Sequence, residues 1–150
     1  MDSVLMAQCA FEHEKGIVYY NQKRYKNAVM IFAELVQYKY PPALYYVGKC
    51  YRDGTGLAKD DKLALSFFLE AAKRNEPRAQ YELAMAIFEG KVDGYDSSKA
   101  MLWLEHAVAC EEPHAMLEMA RRSFAGDGVK CDSVYARDLL AQYIMDGRLN

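Results

Sequence analysis

The sequence predicts an all-α protein built from four copies of a two-helix repeat. The main observation is that small residues, prolines and aspartates recur every 36 residues. The recurring sets are Ala28/Ala64/Ala100/Ala136, Pro41/Pro77/Pro113, Gly54/Gly90/Gly126 and Asp60/Asp96/Asp132. A second observation is that apolar positions share this period, as in Ile31/Phe67/Trp103/Leu139. The chain is therefore interpreted as a single domain of four repeats, residues 11–42, 43–78, 79–114 and 115–150.

The first repeat, residues 11–42, has the shortest connection between its helices. The distance from Gly16 to Ala28 is four residues shorter than the equivalent distance in the next repeat. We therefore expect the two helices to be joined by a short turn at residues 21–24, without the glycine loop of the later repeats.

The second repeat, residues 43–78, shows the full pattern. The Pro41-Pro42 pair favours the opening of a helix, because first-turn N–H groups lack helical partners anyway. Residues 53–56 contain two glycines and end that helix, since glycine readily takes a positive φ. Asp60 supplies an N-cap oxygen for the second helix. The apolar stripe of that helix consists of Leu63, Ala64, Phe67, Phe68, Ala71 and Ala72.

The third and fourth repeats keep the helices and vary the loop. In residues 79–114, Ala84 and Val92 stand where the second repeat has glycines. In residues 115–150, the glycine loop returns as Gly126-Asp127-Gly128. The same two-helix prediction therefore holds for both repeats.

One set of positions in the second repeat points to a known family. These positions are Ala43, Gly48, Tyr51, Gly54, Gly56, Asp60, Ala64, Phe68, Ala71 and Ala72. The pattern resembles Sel-one-like repeats (SLRs), a branch of the tetratricopeptide repeat (TPR) superfamily, while the first repeat resembles an ordinary TPR. The resemblance covers nearly the whole chain. It implies a right-handed α-solenoid of about four antiparallel helix pairs.

The resemblance also implies a binding surface, because the first helix of each pair lines the concave face of a TPR stack. Residues of that face recur at helical spacing. Carried over by register, they are His13, Ile17, Tyr20, Asn21, Tyr45, Lys49, Arg52, Tyr81, Met85, Phe88, Glu89, Leu117, Arg121 and Phe124. Such a groove of aromatic side chains and three cations suits an acidic, amphipathic protein or peptide segment. The alternative is that the aromatic residues pack against neighbouring helices instead.

We therefore expect a non-enzymatic protein-interaction module that acts as an adaptor, a regulatory subunit or an inhibitor. A narrower possibility within that class is a small immunity-type protein that neutralises a toxin. The net charge of −2 gives no general attraction to nucleic acid or to anionic lipid. No signal peptide or membrane span is recognisable, so we expect a cytoplasmic protein without nucleic-acid or membrane partners.

The competing hypothesis is a metal- or thiol-dependent enzyme built around His106, Cys110 and His114. These residues have the spacing of one helical face, but Pro113 interrupts the helix between them. The sequence has no CxxC pair and no nucleotide-binding glycine motif. We therefore expect no catalytic residue, no metal and no cofactor.

The last repeat is expected either to cap the stack or to contact a second copy or a partner. Arg137 and Asp138 replace apolar or small residues of earlier repeats, which adapts this end to water. Tyr143 instead places bulk where a following helix would pack. Both outcomes stay open, a monomer or a weak homodimer through the C-terminal repeat.

Overall fold

The computed structural model describes residues 2–147, which form α-helices joined by turns and loops. It contains eight α-helices and no β-strand, and 74% of these described residues are helical. The helices are α1 (Ser3–Asn21), α2 (Tyr25–Val36), α3 (Pro41–Asp53), α4 (Asp61–Lys73), α5 (Pro77–Phe88), α6 (Ser97–Ala109), α7 (Pro113–Ala125) and α8 (Ser133–Met145). The predicted all-α fold class is confirmed. None of the eight described helices is long and apolar enough to span a bilayer.

Aspartate side chains begin the second helices of the last three repeats, as predicted. The Oδ1 atoms of Asp60, Asp96 and Asp132 each accept a hydrogen bond of 3.0–3.1 Å from the backbone N–H three residues later. Asp2 caps α1 in the same way, at 2.7 Å from the backbone nitrogen of Leu5. Because of this cap, α1 begins eight residues before the predicted start of the first repeat.

Prolines and glycines bound the first helices. Proline occupies the first turn of α3 and α7, so both helices begin two residues before the repeat boundaries assigned from the sequence. Gly54 and Gly126 end these helices in the left-handed conformation, with φ of 68° and 69°. The predicted short turn of the first repeat is also present, between the end of α1 at Asn21 and the start of α2 at Tyr25.

The described residues divide into two compact units, with the boundary between Ala79 and Gln80. We call them the N-terminal unit and the C-terminal unit. The core of the N-terminal unit is built by Cys9, Ala28, Phe32, Leu35, Tyr40, Ala43 and Val47. The core of the C-terminal unit is built by Ala84, Met101, Leu104, Ala107, Ala115, Met119, Ala120, Ala136 and Leu139. The assignment of four repeats to one domain stays a prediction, and residues 148–150 of the last repeat lie outside the described range.

Within each repeat of the N-terminal unit, a glycine on the first helix faces a phenylalanine on the second. A Cβ atom on Gly16 would lie 2.5 Å from Cε1 of Phe32, and one on Gly48 would lie 2.8 Å from Cε1 of Phe68. Any larger side chain would therefore displace the ring. This close approach brings the two helices of a repeat together and fixes which side chains of α1 and α3 face outward.

Candidate functional site

The predicted binding residues of the N-terminal unit lie on α1 and α3, where tyrosine rings gather around two cations. The rings of Tyr20 and Tyr46 meet edge to face with 5.3 Å between centroids. Lys49 Nζ lies 5.1 Å and 5.5 Å from these two centroids. The guanidinium of Arg78, in the first turn of α5, lies 5.4 Å from the centroid of Tyr46. We call these four half-buried residues, Tyr20, Tyr46, Lys49 and Arg78, the tyrosine–cation patch.

The two cations of the patch differ in their partners. Arg78 Nε donates to Oε1 of Glu76 over 2.7 Å, and that carboxylate is itself buried. For Lys49, the structure shows no ion pair with any carboxylate of residues 2–147. Its ammonium group is held by tyrosine faces, an attraction worth about 0.5–2 kcal/mol. Lys49 is therefore the cation of the patch whose charge is available to a carboxylate from outside.

His13 and Tyr45 are predicted contact residues that the structure places inside the unit. The centroid of the His13 ring lies 5.2 Å from that of Phe32 and 5.4 Å from that of Tyr46. The Nδ1 atom of His13 has no hydrogen-bond partner among the described residues. Burial, with a smaller contribution from the nearby Arg78 charge, lowers the pKa of His13 to about 4. Because His13 and Tyr45 are only 6% and 8% exposed, they support the patch from beneath.

The other predicted residues of the N-terminal unit lie around the patch. Ile17 is half-buried against the core, and Asn21 is exposed at the end of α1. Arg52 forms an ion pair with Asp53 over 3.0 Å, and its guanidinium lies 5.8 Å from the centroid of Phe68. The positive charge of Arg52 is therefore partly neutralised within the chain.

In the C-terminal unit, the predicted residues separate into two groups. Tyr81, Leu117 and Arg121 line a shallow pocket of about 230 Å³ together with His114 and Glu118. The rings of Tyr81 and His114 are 5.6 Å apart. The remaining predicted residues do not line this pocket; they are Met85, Phe88, Glu89 and Phe124.

Ion pairs neutralise two cations of the C-terminal unit, Arg121 and Arg122 of α7. Glu118 Oε1 accepts from Arg121 over 2.8 Å and from Arg122 over 2.9 Å, and Asp127 contacts the same two guanidinium groups at 3.3 Å and 3.2 Å. Hydrogen bonding to Arg121 is the main reason why the pKa of Glu118 lies below its ordinary value. Arg122 is buried, with its guanidinium 3.5 Å from the centroid of Phe88. Arg121 is therefore already engaged by carboxylates of its own unit.

Sequence reasoning missed Tyr46 and Arg78. Tyr46 is adjacent to the predicted Tyr45 and lies on the neighbouring stripe of the same helix. Its spacing of three residues from Lys49 was the signal in the sequence that could have identified it, because side chains three apart on a helix are neighbours. Arg78 follows the proline that opens α5 and meets Tyr46 only through tertiary packing. The cations therefore contact both stripes of α3, since the Arg78 guanidinium lies 4.6 Å from the centroid of the buried Tyr45 and 5.4 Å from that of the half-buried Tyr46.

The residues of the competing enzyme hypothesis do not share a helix. α6 ends at Ala109, Cys110 caps it, and α7 begins at Pro113. His114 Nδ1 lies 3.2 Å from Oε1 of Glu112, whose other oxygen caps α7 by accepting from the backbone nitrogen of Ala115 over 2.7 Å. Across residues 2–147, no group of three or more His, Cys, Asp or Glu side chains is arranged to hold a metal ion.

Comparisons with known proteins agree with this architecture. The chain is similar to a Sel1 repeat protein from Oxalobacter formigenes, at 27% identity and a TM-score of 0.78 over 89% of this chain and 54% of that one. It is also similar to c5321, described as a protective antigen of uropathogenic Escherichia coli with an SLR fold. There the identity is 25% and the TM-score 0.76, over 98% of this chain and 34% of that one. The chain thus spans about half and about a third of these two proteins.

Comparison with family models places the repeat boundaries at the starts of α3, α5 and α7. No curated protein sequence matches the chain. The family model described as Sel1 repeat matches three times, at residues 41–76, 77–110 and 113–143, and each match begins where a first helix begins. Matches over this share of the residues, together with the two structural neighbours, confirm the SLR assignment and the solenoid fold class. The chain therefore belongs to the Sel1 repeat family.

Proposed function

We propose that this protein is a non-catalytic interaction module that holds an acidic segment of a partner protein on the tyrosine–cation patch. Sel1 repeats form protein-interaction scaffolds and are generally non-catalytic. The observation that carries the proposal is Lys49, a half-buried cation held by two tyrosine rings and without a carboxylate partner among the described residues. A partner's Asp or Glu supplies the missing opposite charge.

The surroundings of Lys49 strengthen this interaction. An ion pair on an exposed surface contributes little, because water screens it and two long side chains must be immobilised. Here the tyrosine rings already restrict the ammonium group and exclude part of its water, so less entropy is lost on binding. The half-buried rings of Tyr20 and Tyr46 also offer apolar contact area to a hydrophobic residue beside the carboxylate. An acidic, amphipathic segment uses both features.

The C-terminal unit contributes less to this proposed capture. Arg121 and Arg122 of this unit are paired with Glu118 and Asp127, so a partner's carboxylate would have to displace an existing ion pair there. In the cell, capture of an acidic segment would serve an adaptor, a regulatory subunit or an inhibitor. A toxin-neutralising immunity-type protein is a narrower form of the same activity.

Fluorescence anisotropy tests the proposal with defined probes. The probes are labelled peptides that place Glu residues beside Leu and Phe at helical spacing, and the same peptides with Lys in place of each Glu. We expect the acidic peptides to bind and the basic ones not to bind. Lys49→Glu should weaken binding at least about tenfold, because it replaces attraction with repulsion. Tyr46→Ala should weaken it about 10- to 100-fold, as loss of a central aromatic contact does.

Lys62→Glu is the matched control, since Lys62 is an exposed lysine on the second helix α4 and the change in net charge is the same. It should leave binding within about twofold. Equal binding of acidic and basic peptides, or equal losses in Lys49→Glu and Lys62→Glu, would refute the proposal. Unchanged circular dichroism of each variant shows that lost binding is not lost folding.

A further inference from the structure

Arg78 of the tyrosine–cation patch is oriented by its neighbours but keeps hydrogen-bond donors to spare. Its Nε donates to the buried carboxylate of Glu76 over 2.7 Å, and its guanidinium lies 4.6 Å from the centroid of Tyr45. Within residues 2–147, its terminal nitrogens Nη1 and Nη2 donate no hydrogen bond. Glu76 therefore balances the charge of Arg78, while the fork formed by these two nitrogens stays free to bind an anion.

Lys49 and Arg78 approach the same face of one ring. Lys49 Nζ and the Arg78 guanidinium both lie over Tyr46, at 5.5 Å and 5.4 Å from its centroid. Phe32 stacks on this ring with 5.1 Å between centroids and 27° between planes, so it covers the other face. Like charges that share one ring face repel each other, and Glu76 offsets only one of them. An anion that contacts both cations would relieve this repulsion.

A phosphate monoester suits these two groups better than a carboxylate does. It carries a charge of about −1.5 to −2 at pH 7 and three acceptor oxygens. Two of these oxygens can accept from the fork of Arg78 while the third pairs with the ammonium group of Lys49. A carboxylate has only two oxygens, so one that binds the fork leaves Lys49 without an anion.

The next repeat does not reproduce this combination. The residues 36 positions after Tyr45, Tyr46, Lys49 and Arg78 are Tyr81, Glu82, Met85 and His114. One ring is kept, but a glutamate replaces the second ring and a methionine replaces the lysine. The glutamate brings negative charge to a position that an anion would have to approach. The pairing of a lysine with an oriented arginine therefore belongs to the N-terminal unit.

We infer that the partner segment carries a phosphoserine whose phosphate lies between Lys49 and Arg78, so that phosphorylation of the partner strengthens its capture. This inference rests on the proposed function, because it names the anion that the same patch holds. The side chain of Arg78 is 38% exposed, so the short stem of phosphoserine reaches the guanidinium from the surface. The rings of Tyr20 and Tyr46 contact the flanking residues of the segment, which a free phosphate ion does not have.

Fluorescence anisotropy with three matched peptides tests the inference. They share one sequence with Glu, Leu and Phe at helical spacing, and their central pair is phosphoserine-Ala, Glu-Glu or Ser-Ala. The first two peptides carry nearly the same charge, so any difference between them reports the shape of the anion. We expect the phosphoserine peptide to bind at least about tenfold more tightly than the Glu-Glu peptide, and the Ser-Ala peptide to bind most weakly.

The outcomes separate this inference from the proposed function. Equal affinity of the phosphoserine and Glu-Glu peptides would overturn the inference and leave capture of an acidic segment standing. If neither peptide binds, both fail. These comparisons use the wild-type chain, so they do not depend on how any variant folds.

Arg78→Lys distinguishes recognition of phosphate from general attraction of anions. The substitution keeps the positive charge and removes the fork. Binding of the phosphoserine peptide should therefore fall at least about tenfold, while binding of the Glu-Glu peptide should change by less than about threefold. Equal losses for the two peptides would contradict the inference. Circular dichroism checks that the variant is folded.

Arg74→Lys is the matched control. Arg74 is a half-buried arginine of the same unit, and its Nη1 is engaged by the Oε2 atom of Glu70 over 2.6 Å. The substitution should leave the affinity for both peptides unchanged. A loss of phosphoserine binding equal to that of Arg78→Lys would overturn the inference, since the effect would not be specific to the fork of Arg78.

Inorganic phosphate distinguishes a phosphorylated segment from a free anion as the ligand. Added as a competitor, it should displace the labelled phosphoserine peptide only at concentrations at least about 100-fold above those of the unlabelled peptide, because it makes no contact with the rings. Displacement at equal concentrations would overturn the inference, since the site would then bind the phosphate ion itself.

Discussion

The N-terminal and C-terminal units solve one packing problem in two ways. In the N-terminal unit, Gly48 on α3 faces the large ring of Phe68 on α4. In the C-terminal unit, the equivalent positions hold Ala84 and Leu104, both completely buried in one core. Ala84 adds a methyl group to the first helix where Gly48 has none, and Leu104 on the second helix is smaller than Phe68. A close-packed core constrains the combined volume of the pair more tightly than the size of either residue.

The two units also differ in how they treat charge. The N-terminal unit rests Lys49 on tyrosine rings, while the C-terminal unit binds Arg121 and Arg122 to Glu118 and Asp127. Both arrangements use positions that the 36-residue period leaves variable. The repeated positions therefore build the scaffold, and the variable positions give each unit its own surface charge. Four predictions test this comparison, from the largest expected effect to the smallest.

Acid should destabilise the N-terminal unit through His13. Its pKa is about 4 in the folded chain against an ordinary 6.5, so between these values the unfolded chain binds the proton and the folded chain does not. Stability is fully present above pH 6.5 and declines as the pH falls towards 4, by about 3 kcal/mol in all. His13→Phe should flatten this part of the pH profile in urea unfolding. His106→Phe, at an exposed histidine of α6, should leave the slope unchanged. Parallel profiles for wild type and His13→Phe would show that the buried histidine does not govern this range.

Loop glycines should differ in their tolerance of alanine. Gly56 and Gly128 have nearly the same left-handed φ, 78° and 74°, so backbone strain of about 1–2 kcal/mol applies to both. A Cβ on Gly56 would lie 2.8 Å from the backbone oxygen of Tyr25, whereas one on Gly128 would lie 3.4 Å from the flexible Met101 Cε and 3.8 Å from Arg122 Nη1. Thermal unfolding should therefore show Gly56→Ala costing about 2 kcal/mol more than Gly128→Ala. Equal losses would mean that the carbonyl moves aside easily.

Exchange of one packing solution for the other should show coupling between the two helices. Gly48→Ala alone forces the ring of Phe68 to move, and Phe68→Leu alone leaves a void. The double variant reproduces the Ala84–Leu104 pair of the C-terminal unit. Its loss of stability should be smaller than the sum of the single losses by about 1 kcal/mol in a double-mutant cycle. Additive losses would indicate that the pairs are not alternative solutions.

Loss of an exposed cation should have the smallest effect, and salt should separate the two units. Arg121→Gln removes ion pairs that are open to solvent, so we expect a cost of only about 0.5 kcal/mol at low salt that nearly vanishes in about 1 M NaCl. Lys49→Gln removes contacts with ring faces at a similar cost of about 0.5 kcal/mol, and salt should change that cost less. Identical salt dependence in urea unfolding would remove this distinction.

The sequence by itself determined the helices and their ends. A period of 36 residues predicted four helix pairs, and Asp60, Gly54 and the prolines predicted helix boundaries to within about two residues in the last three repeats. These signals are reliable because caps and turns depend on hydrogen bonds between residues only a few positions apart. The start of α1 escaped prediction because it lies outside the period, although Asp2 is a cap of the same kind.

Only the tertiary structure decided which side chains of the first helices are buried and which are exposed. Tyr45 and Tyr46 are adjacent residues of the same type and both lie near the two cations, yet Tyr45 is buried and Tyr46 is only half-buried. Arg78 reaches Tyr46 from a helix more than 30 residues away in sequence. Burial and charge pairing depend on contacts between distant helices, and a rotation of one helix by a fraction of a turn exchanges neighbouring stripes. Periodicity predicts that each first helix has such stripes of residues, and packing between helices determines which stripe faces outward.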